Sequence, residues 1–131
     1  MQQFELSTRG REGLHDITPQ VRQAIRESGV QDGICLVYCP HTTAGITINE
    51  NADPDVISDI LGALERAVPH QGDYRHAEGN SAAHVKSSLV GAAGQVLVQD
   101  GEPLLGTWQS IFFCEFDGPR RRRFLVKVLQ G

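Results

Sequence analysis

The stretch Gln95-Val-Leu-Val-Gln-Asp-Gly-Glu-Pro-Leu-Leu105 decides the fold. A short run rich in β-branched residues meets Asp100-Gly101, a strong two-residue hairpin signal, and Leu104-Leu105 resumes the sheet. Downstream, Thr107 to Phe116 reads as a long strand that Asp117-Gly118-Pro119 turns. Phe124, Val126 and Val128 then alternate with Leu125, Lys127 and Leu129 as a final strand. Successive hairpins make neighbouring strands antiparallel, so the last forty residues predict a largely antiparallel sheet.

Upstream, residues 3 to 9 form an opening strand. Asp16-Ile-Thr-Pro19 starts a helix, with Pro19 in the first turn where its missing N–H is harmless, and Gly29 stops it. Gly33-Ile-Cys-Leu-Val-Tyr-Cys39 is apolar without alternation, the pattern of a strand covered on both faces, and Pro40 ends it. Residues 44 to 49 form a short strand. Asp53 caps a helix carrying Val56, Ile57, Ile60, Leu61, Leu64 and Val68 at helical spacing. Pro69 closes that helix, a polar loop covers 70 to 80, and Asn80 caps a short helix running to Gly91. Strand, helix, strands, helices and then hairpins favour α+β over a parallel βαβ sheet.

The chain has 131 residues, 40% of them apolar and 21% charged, which suits one globular domain spanning 1–131. A net charge of −4 argues against a general nucleic-acid binder. No stretch reaches the ~20 apolar residues of a membrane helix, and Met1-Gln2-Gln3-Phe4-Glu5 lacks the build of a signal peptide. Cys35 and Cys39 would lie about 13 Å apart on one strand, too far for a disulfide. With Cys114 they read as buried reduced thiols, which fits a cytoplasmic protein.

Three histidines sit near element ends: His41 after the buried strand, His76 in the polar loop, and His84 one turn inside the Asn80 helix. Were the whole segment from His76 to His84 helical, its rings would be about 12 Å apart along the axis. Two ligands of one zinc need nitrogens only about 3–3.5 Å apart, so shared ligation requires the chain to fold back at Gly79-Asn80. Three imidazoles would leave a tetrahedral metal an open position, as catalytic sites do. The plainer alternative has His41 capping a strand and His76 solvated; there is no HExxH and no cysteine pair.

His41-Thr42-Thr43 adds two hydroxyls. Glu50 follows a strand in a polar patch, where it could act as general base or carboxylate ligand, with Asn51 beside it. The helix start at Asn80 offers free N–H groups to an anion, although a simple cap is the commoner case. Trp108 is more often core than ligand platform. The run Arg120 to Arg123 reads as a solvated face, unless alternating guanidiniums aim at an anion or a subunit partner.

Four blocks together resemble the YjbQ family, also labelled secondary thiamine-phosphate synthase-like: His41-Thr-Thr-Ala-Gly-Ile-Thr-Ile-Asn-Glu-Asn-Ala-Asp-Pro-Asp55, His76-Ala-Glu-Gly-Asn-Ser-Ala-Ala-His84, Leu105-Gly-Thr-Trp-Gln109 and Glu115-Phe-Asp-Gly-Pro-Arg120. The resemblance covers nearly the whole chain in the same order. It implies a single compact α+β domain with a barrel-like or sandwich antiparallel sheet and flanking helices, assembled as a homotrimer. It also implies that His41, His76 and His84 converge on zinc or on an anion. The implied activity joins a pyrimidine pyrophosphate to a thiazole phosphate, giving thiamine phosphate and pyrophosphate.

On that reading the protein is an enzyme for phosphorylated small molecules. His41, His84 and Glu50 are the catalytic candidates, and Thr42, Asn51, Asn80, Trp108 and Arg120 contact substrate. The rival is a trimeric module that binds a metal or anionic metabolite without turnover. A third reading makes the histidines structural groups at a trimer interface.

Overall fold

A computed structural model describes residues 1–131. The elements run β1 (Gln2–Ser7), β2 (Gly13–Asp16), α1 (Thr18–Ser28), β3 (Asp32–Tyr38), β4 (Ala44–Glu50), α2 (Pro54–Ala67), α3 (Ser81–Val90), β5 (Ala93–Gln99), β6 (Glu102–Pro103), β7 (Gln109–Glu115) and β8 (Arg121–Gln130). The strands form a five-stranded sheet, β1-β8-β3-β5-β6, and a three-stranded sheet, β2-β7-β4. Every pairing is antiparallel. The α+β class and the curled antiparallel sheet with flanking helices are therefore as the sequence predicts. The longest helix, α2, has 14 residues, and no helix is long and apolar enough to cross a membrane.

Local chemistry explains most element ends. The Asp16 carboxylate accepts from Thr18 N–H at 2.9 Å at the start of α1, and Gly29 ends that helix at φ 72°. Asp53 caps α2 by accepting from Asp55 N–H at 2.9 Å. Asp100 (φ 54°) and Gly101 (φ 75°) make the β5–β6 turn, where paired positive φ values match the twist of a two-residue hairpin. β6 itself is shorter and earlier than expected, Glu102–Pro103 rather than Leu104-Leu105, although Leu104 N–H still reaches the Leu97 carbonyl at 2.7 Å.

The main core lies between the inner faces of the two sheets and α1. Val21, Ala24 and Ile25 of α1 meet Cys35 and Val37 of β3, Ile111 and Phe113 of β7, and Phe124 and Val126 of β8. Each buried Val, Ile or Phe side chain contributes about 1.5–3 kcal/mol relative to exposure. A second cluster lies on the other face of β7: Phe112, Cys114 and Phe116 pack with Ala83 of α3 and Ile57, Leu61 and Leu64 of α2. The central strand β7 is thus covered on both sides.

β3 is not covered on both sides. Cys35 and Val37 are buried, but Ile34 (43%) and Tyr38 (46%) are exposed. Their cross-strand neighbours Leu97 (58%) and Leu129 (50%) are exposed beside Ile34, so the outer face of the large sheet is apolar and open. The three cysteines are free and buried, as expected.

Candidate functional site

Four segments meet where β3 ends and β4 begins. Pro40 stops β3 and leads through His41 and Thr42 to Thr43. The β7–β8 turn brings Asp117 and Arg120, the loop before α3 brings His76, Glu78 and Asn80, and the first turns of α3 bring His84. Together they line a cavity of about 430 Å³ without a single hydrophobic residue.

His41 owes its place to the sheet. β8 runs past the end of β3, whose last paired residue is Tyr38 opposite Leu125. Arg123 lies beyond that point, and its N–H donates to His41 Nε2 at 3.0 Å in place of a β3 carbonyl. An amide can only donate, so Nε2 is unprotonated and Nδ1 carries the ring proton. Burial pushes the His41 pKa below its ordinary value, and the Arg122 guanidinium adds to that. His41 is accordingly a neutral donor with no free lone pair.

His76 and His84 lie edge to face with ring centroids 5.5 Å apart, so the chain does fold back at Gly79-Asn80 (Gly79 φ 80°). Asn80 occupies the N-cap position of α3, but its side chain does not cap. Instead Nδ2 donates to Asp117 Oδ2 at 2.9 Å, and Oδ1 is buried without a partner. Arg120 grips the same aspartate, through Nη2 to Oδ2 at 3.0 Å and Nε to the carbonyl at 2.9 Å.

Beneath this rim lies a buried ion pair. Arg122 (4% exposed) donates through Nε to Glu115 Oε1 at 2.8 Å and through Nη2 to Glu115 Oε2, and also to Thr43 Oγ1 at 2.8 Å. Glu115 additionally accepts from Thr8 Oγ1 at 2.7 Å and Asp117 N–H at 3.0 Å. Burial alone would raise the Glu115 pKa, but the hydrogen bonds from Arg122 and Thr8 outweigh it and hold the carboxyl below its ordinary value. The arginine run is therefore neither one solvated face nor one anion clamp. Arg120 binds Asp117, Arg121 reaches Glu5 at 3.1 Å, Arg122 is buried on Glu115, and Arg123 reaches Gln3 at 3.1 Å.

Of the residues singled out from sequence, His41, Thr42, His76, Asn80, His84 and Arg120 line this cavity. Glu50, Asn51 and Trp108 do not. Glu50 ends β4, six residues from Ala44 and hence roughly 20 Å away along the strand, and Asn51 and Trp108 lie beside it. There Asn51 N–H donates to the Trp108 carbonyl, and its side chain donates to Asp16. Trp108 is 63% exposed, not core. Sequence reasoning missed Asp117, Glu78 and the buried Glu115–Arg122 pair. Asp117 was visible only as a turn residue, and the pairing of Glu115 with Arg122 depends on strand register.

The zinc expectation is corrected. No group of three His, Cys, Asp or Glu side chains is placed to hold a metal ion. The reason is visible at His41, whose Nε2 lone pair is committed to Arg123 N–H, which leaves at most the His76–His84 pair. The three histidines share a cavity wall but do not form a ligand set.

Known proteins agree on the family and not on the expected reaction. A UPF0047 protein of Methanocaldococcus jannaschii is 58% identical over 126 residues, covering 96% of this chain and 91% of that protein. The UPF0047 protein YugU of Bacillus subtilis is 51% identical, covering 96% of each. Among solved structures, a YjbQ/UPF0047 protein of Clostridium acetobutylicum superposes with a TM-score of 0.97 at 53% identity, covering 98% of this chain and 100% of that one. A YbjQ-like protein of unknown function from Sulfolobus solfataricus gives 0.95 at 34% identity, covering 99% and 96%. These relatives carry a family name without a function, and none is described as a thiamine phosphate synthase. With no metal ligand set either, the thiamine-phosphate reaction and the histidine–zinc centre expected from sequence are both set aside. Residues 2–131 match the UPF0047 protein YjbQ-like family, and the chain belongs to it.

Proposed function

We propose that the cavity between the β3–β4 link, the β7–β8 turn and α3 binds a small hydrophilic molecule bearing an anionic oxygen group. The observation that carries this reading is a cavity of about 430 Å³ lined only by polar residues and proline. Its donors are suited to acceptor oxygens: the Nδ1–H of His41, the Thr42 hydroxyl, and the Arg120 Nη1 that Asp117 leaves free. The overall charge of −4 favours a small ligand over nucleic acid, and Arg120 is the guanidinium at the cavity rim that an anionic group would meet. His76, Glu78 and His84 are wall residues of acid–base type, so proton-transfer catalysis would run through them. Glu50 has no part in this cavity.

Isothermal titration with inorganic phosphate, sulfate and malonate tests the reading. At least one should bind with 1:1 stoichiometry at millimolar Kd or tighter, and Arg120→Ala should weaken it by about tenfold, the loss of one charge-assisted hydrogen bond. No binding by any of them, or binding indifferent to Arg120→Ala, would overturn it.

We further propose that copies of the chain associate as a homotrimer through the outer face of the five-stranded sheet. The exposed Ile34, Tyr38, Leu97 and Leu129 support association, since contiguous apolar patches on soluble domains mark contact surfaces. The number three comes from the resemblance drawn from sequence. Light scattering should give three times 14.3 kDa for the wild type and a lower mass for Leu97→Asp. A monomeric wild type would end this proposal and leave the cavity reading standing.

A further inference from the structure

Against the polar cavity lies a second concavity of about 420 Å³, lined by Tyr74, Arg75, His76, Ser81, His84 and Val85. The two share His76 and His84. Their character differs: the first has no hydrophobic residue, whereas Tyr74 and Val85 make the second largely apolar. Val85 is 41% exposed although it is a β-branched aliphatic residue one turn into α3.

The second concavity is also rich in flat side chains. Four of its six lining residues, Tyr74, Arg75, His76 and His84, present rings or a guanidinium plane. Such groups attract a planar ring by stacking, edge-to-face contact or cation–π attraction. Tyr74 is held in place by its own loop. Its hydroxyl donates to the Pro69 carbonyl, and its ring lies so close over Gly72 that a Cβ there would come within 2.9 Å of Cε2. A ring fixed in this way loses little freedom when a ligand stacks on it.

Resting on the proposed binding role of the polar cavity, we infer that the ligand is two-part. Its anionic oxygen group sits in the polar cavity, and a planar, aromatic or heteroaromatic portion lies across the His76–His84 wall onto Tyr74 and Val85. The shared wall argues for one molecule rather than two, because a ligand spanning both concavities covers both imidazoles.

The test compares methylphosphonate with benzylphosphonate, which share the anion and differ by the ring. Titration of the wild type should show benzylphosphonate binding about tenfold tighter, the gain expected from burying one face of a ring. Val85→Ser, which removes the apolar contact at a partly exposed helical position without adding charge, and Tyr74→Ala should each remove that gain and leave methylphosphonate binding unchanged. Equal affinity for the two phosphonates, or a gain that survives both substitutions, would overturn the two-part ligand while the polar cavity remains a binding site. Binding of neither would overturn both readings.

Discussion

Replacing Arg122 with methionine would leave Glu115, which is 0% exposed, without its counter-charge. Removing one partner of a buried pair costs about 3–5 kcal/mol, because a desolvated charge is left behind. Here the carboxylate keeps two of its hydrogen bonds, from the Thr8 hydroxyl and the Asp117 N–H. Methionine also fills most of the space of the arginine stem. The expected loss therefore sits at the lower end, about 3 kcal/mol. For a domain of 131 residues that corresponds to a fall of roughly 10 °C in Tm.

The assay is urea unfolding followed by far-UV circular dichroism, with a thermal melt alongside. The charge origin of the loss has its own signature. In the Arg122→Met variant, burial is no longer opposed by the guanidinium, so Glu115 takes up a proton more readily. The penalty should therefore shrink between neutral pH and about pH 5. The double variant Arg122→Met, Glu115→Gln should recover more than half of the stability lost by the single one, because neither charge remains. A loss under about 1 kcal/mol, the size of an exposed pair, would refute the argument that the pair is sealed from water. So would a double variant no more stable than the single.

Two other outcomes follow from buried titratable groups. Burial lowers the pKa of both His15 and His41 from 6.5, so the fold favours their neutral forms while the unfolded chain binds protons near 6.5. Their contribution is then complete above pH 6.5 and is lost as pH falls towards the folded values; urea midpoints from about pH 8 to about pH 5 should decline below 6.5, less so in a His15→Gln, His41→Gln variant, and the same decline in that variant would contradict the assignment. Burial pushes the Cys35 thiol up to about 11 and Cys114 up to about 12, and raises Cys39 as well. Ellman's reagent should leave the native protein almost unlabelled at neutral pH and count all three thiols in urea; rapid native labelling would mean that the core opens.

What could be read from the sequence was local. Asp53, Gly29 and Asp100-Gly101 act within a few residues of themselves, and the structure uses each as expected. What could not be read was set by pairing at long range. Gly13–Asp16 has no alternation of its own and is a strand only because it lies along Phe112–Glu115 of β7. The continuous apolar run of β3 suggested burial on both faces, yet only alternate residues are covered within one chain. The four arginines are indistinguishable as letters. The register of β8 against β1 and β3 turns Arg122 inward and its neighbours out.

The same distinction explains the site. His76, Asn80 and His84 are close in sequence and a tight turn keeps them close in space. Glu50 and Asn51 are as close to His41 in sequence, but the intervening residues are extended, and a strand carries them away at about 3.3 Å per residue. Contiguity in a motif therefore means proximity across a turn and separation along a strand.

His41 shows how one residue can serve the sheet and the cavity at once. The sheet needs an acceptor for Arg123 N–H where β3 has stopped, and the imidazole supplies one. Meeting that need fixes the tautomer, with the ring proton on Nδ1 and the Nε2 lone pair withheld from any metal. The buried Glu115–Arg122 pair beneath it carries the β7–β8 turn that brings Asp117 and Arg120 to the rim. A fold optimised for stability alone would fill such a place with apolar side chains, since a buried ion pair adds little or nothing over well-packed hydrophobic residues. Here four chain segments instead converge on polar groups, one of them a buried amide oxygen without a partner. Lys86 is buried on Glu12 and Glu65 in the same polar manner but lines no cavity, so it is the opening of the convergent groups onto the cavity that marks where function is to be sought.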